Sequence, residues 1–235
     1  MLMAHSHILL LASASPARRA TLDAAGIRHT VLVSDVDEDA VLRAAIEEAG
    51  DAELTAAQKV QILACAKARA VAKEVHEQGN PLGVTVVVGC DSMFEMGADV
   101  VGKPHTEELA RERLHRMSGH AGELYTGHCV IDMAAGAMVG AAVGAASAAA
   151  EENSAEACAV SRARVHIAEL SDEDIDAYIA SGEPLHVAGS FTIDGRGGPF
   201  VERIEGDHHG VVGISLPLLR NLLAQLGYGI TSFWK

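Results

Sequence analysis

The sequence predicts an α/β fold. Apolar, β-branched runs typical of buried strands alternate along the chain with amphipathic patterns typical of helices. The 235 residues are 49% hydrophobic, which is enough to build a substantial core. The start of the chain already contains the repeating unit of such a fold, a short strand that leads through a tight turn into a helix.

This first unit also predicts an anion site. Leu9–Leu11 has the composition of a buried strand, and Ser15 and Pro16 suit the N-cap and first turn of the following helix. Backbone N–H groups at a helix N-terminus attract negative charge. Because Ser13, Ser15 and Arg18 add hydroxyls and a guanidinium at the same place, we expect this turn to hold a phosphate or a carboxylate.

Apolar periodicity and capping residues predict the next elements. Thr55 is a suitable N-cap for a long helix, and the β-branched run at 84–88 is typical of a fully buried strand. A turn at 89–92 is expected to end that strand. The elements expected up to this point are a strand at 30–36, helices at 40–49 and 55–75, and the strand at 84–88.

The second half of the chain continues the alternation. Thr106 and Ser171 are suitable N-caps, and the acidic residues that follow each of them favour a helix start. The expected elements are a turn at 102–104, a helix to Met117, strands at 123–132 and 160–168, a helix from Ser171 to Gly182, a strand at 200–204 and a helix from Ser215 to Gly227.

The composition excludes several classes of function. A formal net charge of −14 repels long polyanions and anionic membranes, and 3% aromatic residues leave few platforms for stacked bases. The four cysteines lie far apart without a CxxC pair, so neither a zinc site nor a disulfide framework is predicted. Because the first residues lack a signal-peptide pattern, we expect a cytoplasmic protein with reduced thiols.

A low-complexity segment at about 134–155 consists mainly of alanine and glycine. Its uncharged part approaches the length of a membrane helix, but it lacks Leu, Ile and Phe and has acidic flanks. We therefore expect a hairpin insertion between two strands and no association with a membrane.

Asp91 is the strongest single candidate for chemistry. It follows the expected strand at 84–88, and open α/β sheets bind their ligands at the carboxyl ends of strands. A carboxylate at this place can bind a metal ion or accept a proton. The alternative is an aspartate that only caps a turn, and position alone favours neither.

Three further charged residues are weaker candidates. Lys67 falls within the apolar stripe of the long helix, where it either snorkels past the core or points into a site that needs a cation. Glu38 belongs to an acidic run of the kind that is usually solvated, and gains a role if it converges with Asp91 on a divalent ion such as Mg²⁺. Lys103 is either held rigidly by its Gly–Lys–Pro turn or is an ordinary surface lysine.

Six short motifs occur in order over nearly the whole chain. They are Ala-Ser-Ala-Ser-Pro-Ala-Arg at 12–18, Gly-Cys-Asp-Ser at 89–92, Gly-Lys-Pro at 102–104, Met-Ser-Gly at 117–119, and two longer patterns at 183–195 and 200–214. Any one of them alone is weak evidence, but the ordered set is specific. The chain resembles the Maf family of septum-formation-inhibitor-like nucleotide pyrophosphatases.

This resemblance implies a fold and a reaction. The fold is of the Maf/Ham1 (ITPase-like) type, a long mixed β-sheet flanked by helices with a cleft between two lobes, here as a single domain over residues 1–235 and often as a homodimer. The reaction is hydrolysis of a nucleoside triphosphate to a monophosphate and diphosphate with Mg²⁺ or Mn²⁺ as cofactor.

The resemblance also implies roles for individual residues. Asp91 would accept the proton of the attacking water and share metal binding with Glu38. Lys67 and Lys103 would complete the catalytic set and, together with Ser13, Ser15 and Arg18, hold the phosphates.

Three positions depart from the pattern of the pyrimidine-specific members. Those members have Arg after the proline, Thr after the aspartate and Gln before a late glycine, whereas this chain has Ala17, Ser92 and Asp194. An ionised aspartate only accepts hydrogen bonds, so Asp194 should change which base edge is bound. The resemblance therefore does not extend to specificity for dTTP and UTP.

We expect a metal-dependent nucleoside triphosphate pyrophosphatase that removes non-canonical or modified nucleotides, with a nucleoside triphosphate and no nucleic acid as its partner. The alternative is a nucleotide-binding regulator of cell division that does not hydrolyse its ligand. Release of diphosphate from a panel of nucleotides discriminates between them.

Overall fold

The computed structural model describes residues 7–50, 52–97, 99–134 and 156–235. Within these ranges the chain forms one mixed sheet with helices on both faces, as the sequence predicts. The strands are β1 (Leu9–Leu11), β2 (His29–Val31), β3 (Val86–Met96), β4 (Asp99–Val101), β5 (Ala121–Asp132), β6 (Glu156–Ile167) and β7 (Val201–Gly206). The α-helices are α1 (Pro16–Ala24), α2 (Glu38–Ala49), α3 (Ala56–Glu77), α4 (Glu107–Met117), α5 (Asp172–Ala180), α6 (His208–Val212) and α7 (Leu216–Gln225).

The order of strands across the sheet is β2-β1-β3-β5-β6-β7, with β4 added to β3. β1 pairs in parallel with β2 and β3, whereas every ladder from β3 through β5 and β6 to β7 is antiparallel. The long strands β3, β5 and β6 therefore carry the sheet from one half of the molecule to the other.

One edge of β3 contains a gap. β5 pairs with one edge continuously over residues 86–95. The opposite edge pairs first with β1, over residues 86–88, and then with β4, over residues 94–96. Residues 89–93 have no strand partner on that second edge within the described part of the chain. Asp91 lies in the middle of this gap.

The hydrophobic core divides on either side of the gap, which gives two lobes. In the first lobe, α1 and α7 cover one face of β1 and β3 around Leu22 and Leu219, and α3 covers the other face through residues such as Val71. In the second lobe, Phe94 and Tyr178 mark the clusters beneath α4, α5 and β7.

Two glycines let α3 lie directly on the sheet. A Cβ on Gly89 would stand 2.3 Å from the Ala64 carbonyl oxygen, and one on Gly127 would stand 2.3 Å from that of Val60. The backbone of α3 therefore approaches β3 and β5 more closely than any side chain would allow. Thr55 and Gln58 form a complete capping box that fixes the start of this helix.

Most of the expected elements are present, but the turn predicted at 89–92 is wrong. β3 runs through these residues without interruption, because β5 continues to pair with it on one edge. Asp91 therefore lies in the middle of a strand and not at its carboxyl end. The strand expected at 30–36 is shorter, at His29–Val31.

The predicted insertion at 134–155 lies outside the described residues except for Ala134. The two strands that flank it pair antiparallel, with Ile131 opposite Glu156. Among the described helices, none combines the length and the apolar character needed to cross a membrane.

Candidate functional site

A lysine lies between two carboxylates at the gap in the sheet. Lys67 on α3 places its Nζ 2.6 Å from Asp91 Oδ1 and 2.8 Å from Glu38 Oε1. Lys67 and Asp91 are buried, whereas the Glu38 side chain, at the start of α2, is half exposed. The structure thus brings together three of the predicted site residues, and the Lys67 ammonium ends on two carboxylates and does not snorkel to the solvent.

Burial dominates the proton affinity of Asp91. Loss of solvent raises the pKa of this carboxyl group, and the charges of Lys67 and Arg18 oppose the increase. Lys67 donates its hydrogen bond to Oδ1 of Asp91, and no described residue donates to Oδ2. The carboxylate therefore keeps one oxygen for a ligand while an adjacent ammonium favours its ionised form.

Arg18 is the centre of a second polar network. Its Nε donates to the Gly213 carbonyl at 2.8 Å, and its Nη1 donates to Ser13 Oγ at 2.9 Å and to the Cys90 carbonyl at 2.8 Å. Its Nη2 donates to Ser92 Oγ at 3.1 Å. Four of the five guanidinium N–H groups are thus used within the protein. None of these partners carries a charge.

The two networks lie on opposite faces of β3. Side chains alternate along a strand, so Asp91 points towards α3 on the same side as Gly89, whereas Ser92 points towards α1. Ser92 Oγ also lies 2.9 Å from Thr126 Oγ1 on the neighbouring strand. Of the predicted residues, Arg18, Ser13 and Ser92 therefore belong to one cluster, and Lys67, Asp91 and Glu38 to the other.

The predicted anion-binding turn has the expected local structure. Ser15 is the N-cap of α1, since its Oγ accepts from the Arg18 amide, and Pro16 occupies the first turn. Ser13 Oγ accepts from the Ser15 amide at 3.2 Å. An open cleft of about 410 Å³ lies against this turn and extends to Arg19 and Val33. A phosphate in this cleft would meet the N-terminus of α1.

Lys103, Ala17 and Asp194 lie apart from both clusters. Lys103 is exposed in the turn after β4, where Arg113 fixes the preceding residue by donating to the Gly102 carbonyl at 2.7 Å. Ala17 is half-buried in the first turn of α1. Asp194 is exposed in the loop at 192–197.

Glu183 is not among the predicted site residues, although it is the first residue of the motif at 183–195, and it fixes the loop that carries Asp194. Its carboxylate accepts hydrogen bonds from Thr192 Oγ1 at 2.6 Å and from the amides of Arg196 and Gly197 at 2.9 and 3.0 Å. Burial opposes ionisation, but these bonds prevail and lower the pKa of Glu183. The loop is therefore held as a rigid unit.

His128 is a second residue that no sequence motif indicates. Its Nε2 accepts from the Ser215 amide at 2.8 Å, so Nδ1 carries the proton and donates to the Thr126 carbonyl at 2.9 Å. Burial lowers the pKa of His128 to about 4. The imidazole is thus a neutral link between β5 and the start of α7.

Three of the four cysteines, which lie far apart in the sequence, form a cluster in the structure. Cys65 on α3, Cys129 on β5 and Cys158 on β6 meet on the face of the sheet that α3 covers. Cys129 and Cys158 are directly opposite each other in the β5–β6 ladder. Antiparallel register and helix packing therefore create a proximity that sequence spacing does not reveal. Cys90 lies apart on the opposite face.

Comparisons with known proteins agree with the motifs. A family model described as Maf-like protein matches residues 8–226. A protein of Nocardia farcinica named nucleoside triphosphate pyrophosphatase is 49% identical over 227 residues, which cover 97% of this chain and 96% of that protein.

Two further relatives carry the same name. One from Salinispora tropica is 47% identical, covering 97% of this chain and 87% of the relative, and one from Streptomyces coelicolor is 46% identical, covering 96% and 94%. With matched motifs, a mixed sheet that opens at Asp91 and relatives of nearly equal length, the chain belongs to the Maf-like protein family.

Proposed function

We propose that this protein is a metal-dependent nucleoside triphosphate pyrophosphatase, a hydrolase that cleaves the anhydride between the α- and β-phosphates. The observation that carries the proposal is the Lys67 ammonium between the Asp91 and Glu38 carboxylates, at 2.6 and 2.8 Å, in the gap of the sheet. The names of the relatives support the reaction class.

The residues present fit a divalent metal ion. Asp91 and Glu38 supply hard carboxylate oxygens, which Mg²⁺ and Mn²⁺ prefer. Both carboxylates contact the same ammonium, so they lie close enough to serve one ion, and together with Lys67 they leave one net negative charge. A bound ion would neutralise phosphate charge and acidify a water molecule.

Asp91 is suited to accept the proton of the attacking water. In hydrolysis, the water oxygen bonds to phosphorus, the bond from phosphorus to the bridging oxygen breaks, and diphosphate leaves with the electron pair. The proton released from the water passes to the Asp91 carboxylate. Burial raises the pKa of this group, which makes it a stronger base than a solvated aspartate, and the charge of Lys67 opposes that increase.

The turn before α1 is suited to hold the phosphates. Ser13 and Ser15 lie against the open cleft, and the N-terminus of α1 supplies the positive end of the helix dipole. Arg18 contributes charge more than contacts, because four of its N–H groups are already bound within the protein. Lys103 lies in a turn of the second lobe, from which it would reach substrate across the cleft.

The natural substrate is proposed to be a non-canonical or modified nucleotide. Ala17 removes a cation that pyrimidine-specific members have, and Asp194 replaces an amide with a carboxylate, which selects for a base edge that donates hydrogen bonds. Glu183 holds the loop of Asp194 in place. Asp194→Gln should shift the order of kcat/KM values across the panel towards pyrimidine nucleotides.

The test of the reaction is diphosphate release from a nucleotide panel with Mg²⁺ or Mn²⁺, compared between the native chain and Asp91→Asn. Loss of the general base should lower kcat by about 10³-fold. Asn has the shape of Asp, and Glu38 remains as a counter-ion of Lys67, so the variant should still fold, which circular dichroism and the thermal midpoint check. Full activity in Asp91→Asn would disprove the mechanism, and tight nucleotide binding without turnover would favour the regulator of cell division.

We also propose that the protein acts in the cytoplasm as a homodimer without nucleic-acid partners. The net charge of −14 supports the last point. Light scattering on the eluted peak of a gel-filtration column measures the oligomeric state, and a monomer at micromolar concentration would contradict the dimer.

A further inference from the structure

Four side chains converge on the face of the sheet that α3 covers, at the level of Gly89, two residues before Asp91 in β3. The sulfur atoms of Cys65, Cys129 and Cys158 and a carboxylate oxygen of Glu156 all lie within 4.8 Å of one another. We call these four residues the thiol cluster. They come from three elements, α3, β5 and β6, so their proximity is a property of the tertiary fold.

The distances in the thiol cluster suit a tetrahedral metal site. Cys65 Sγ lies 3.4 Å from Cys158 Sγ, and Cys158 Sγ lies 3.2 Å from Glu156 Oε1. Metal–sulfur bonds of about 2.3 Å place the sulfurs of a tetrahedral zinc site about 3.8 Å apart. Because all four donor atoms lie within 4.8 Å of one another, shifts of at most about 1 Å would bring them around one ion.

Two neighbouring side chains hold members of the thiol cluster in place, as residues outside the ligand set do in protein metal sites. Arg69 holds the Glu156 carboxylate with two bonds, from Nε at 2.9 Å and from Nη2 at 2.7 Å. Gln61 Nε2 donates to Cys65 Sγ at 3.2 Å. Such contacts orient ligands, and the Arg69 charge offsets the negative charge of three thiolates and a carboxylate.

The solvent exposure of the thiol cluster and its sulfur donors indicate which metal ions it could bind. Cys158 is exposed, which gives an entry path, whereas Cys129 is fully buried. Three thiolates prefer borderline and soft cations to Mg²⁺ or Mn²⁺. We propose that the thiol cluster binds a divalent ion of the zinc type, which ties α3 to β5 and β6. This site is independent of the proposed hydrolysis.

Cobalt(II) is the probe for the site. The full-length chain, stripped with a chelator under reducing conditions, should bind about one Co²⁺ with a thiolate-to-cobalt charge-transfer band, and Zn²⁺ should displace it. Zn²⁺ alone should raise the thermal midpoint. This measurement on the native chain needs no variant to fold.

Variants identify the ligands. Cys158→Ser should remove most of the charge-transfer band, and Arg69→Gln should weaken Co²⁺ binding by about 10- to 100-fold. Cys90→Ala removes the cysteine outside the cluster and should keep the band. Asp91→Asn should keep it too, because an ion on carboxylates gives no sulfur charge transfer.

Three results would overturn the proposal. The first is the absence of a charge-transfer band in the fully reduced native chain. The second is a band that persists in the double variant Cys65→Ser/Cys158→Ser. The third is a purified native chain whose mass and peptide map show a Cys65–Cys158 disulfide that reductants at physiological potential do not open.

Discussion

Two buried cations lie on opposite faces of β3, and they are compensated in different ways. Lys67 contacts two carboxylates, so its surroundings carry a net negative charge. Arg18 contacts two carbonyls and two hydroxyls, so none of the described carboxylates is in direct contact with it, and its charge acts on Asp91 only from a distance. Both side chains are about nine-tenths buried.

This difference indicates that the two clusters favour ligands of opposite charge. A buried charge without a partner is costly, and an anionic ligand that approaches Arg18 would lower that cost. The Lys67 cluster has the opposite polarity and favours a cation. A triphosphate with its metal ion carries both negative and positive charge. The gap in the sheet lies between the positive charge of Arg18 and the net negative charge around Lys67. The following predictions test this comparison, from the largest expected effect to the smallest.

Lys67→Met removes the cation between the two carboxylates. We expect kcat to fall by about 10²- to 10³-fold, since the preorganised charge is lost. The charge of Lys67 lowers the pKa of Asp91, so its removal raises that pKa and moves the acid limb of the kcat profile to higher pH. Lys73→Met, on an exposed part of α3, is the matched control and should leave the profile in place.

Arg18→Lys keeps the charge but not the planar set of donors. An ammonium cannot reach all four acceptors, so we expect the free energy of unfolding to fall by about 3 kcal/mol. The positive charge at this position remains, whereas the turn that holds the phosphates is less well fixed. We therefore expect KM to rise by a larger factor than kcat falls. Arg220→Lys alters an exposed arginine on α7, which does not line the cleft, and should change neither quantity. A stable Arg18→Lys variant would show that the network is dispensable, and would weaken the comparison.

His128 should make stability depend on pH. Its folded pKa of about 4 lies below the ordinary 6.5, so the unfolded chain binds more protons between these values. Its contribution is therefore complete above about pH 6.5 and is lost as the pH falls towards 4, amounting to about 2 kcal/mol between pH 7.5 and pH 5. Urea unfolding of the native chain and His128→Gln should show a flatter pH dependence in the variant. An equal pH dependence of the unfolding free energy in both proteins would contradict the neutral state of His128.

Gly89→Ala tests how closely α3 must approach the Lys67 side of β3. The added Cβ would overlap the Ala64 carbonyl, so α3 must shift at a cost of about 2 kcal/mol. Because α3 carries Lys67, activity should fall as well. Gly102→Ala meets no atom within 4 Å and is the control for stability. An active Gly89→Ala variant of native stability would show that this close packing is not required.

Local signals in the sequence were sufficient for the anion-binding turn and for most element starts. Ser15, Pro16, Thr55 and Ser171 act through bonds within a few residues, so the chain encodes their roles directly. The family motifs also made it possible to predict the order of the elements and the residues around Asp91.

Features that depend on strand register could not be predicted in the same way. The continuity of β3 through Asp91 comes from β5, about forty residues later in the chain, and not from residues 89–92 themselves. The meeting of Cys129 with Cys158 follows from the β5–β6 register. Arg18 contacts Gly213 because α1 packs beside α6, a contact that no local pattern contains.

The Arg18 guanidinium also takes the place of a missing piece of strand. At the end of the parallel ladder the Val88 carbonyl accepts from the Ala12 amide at 2.8 Å, and the next carbonyl on that edge, of Cys90, accepts from Arg18 at the same distance. A side chain thus caps an edge that backbone would otherwise leave open to strand addition from a second molecule. The buried cation beside the turn before α1 is therefore also the group that protects this edge of β3 against strand addition.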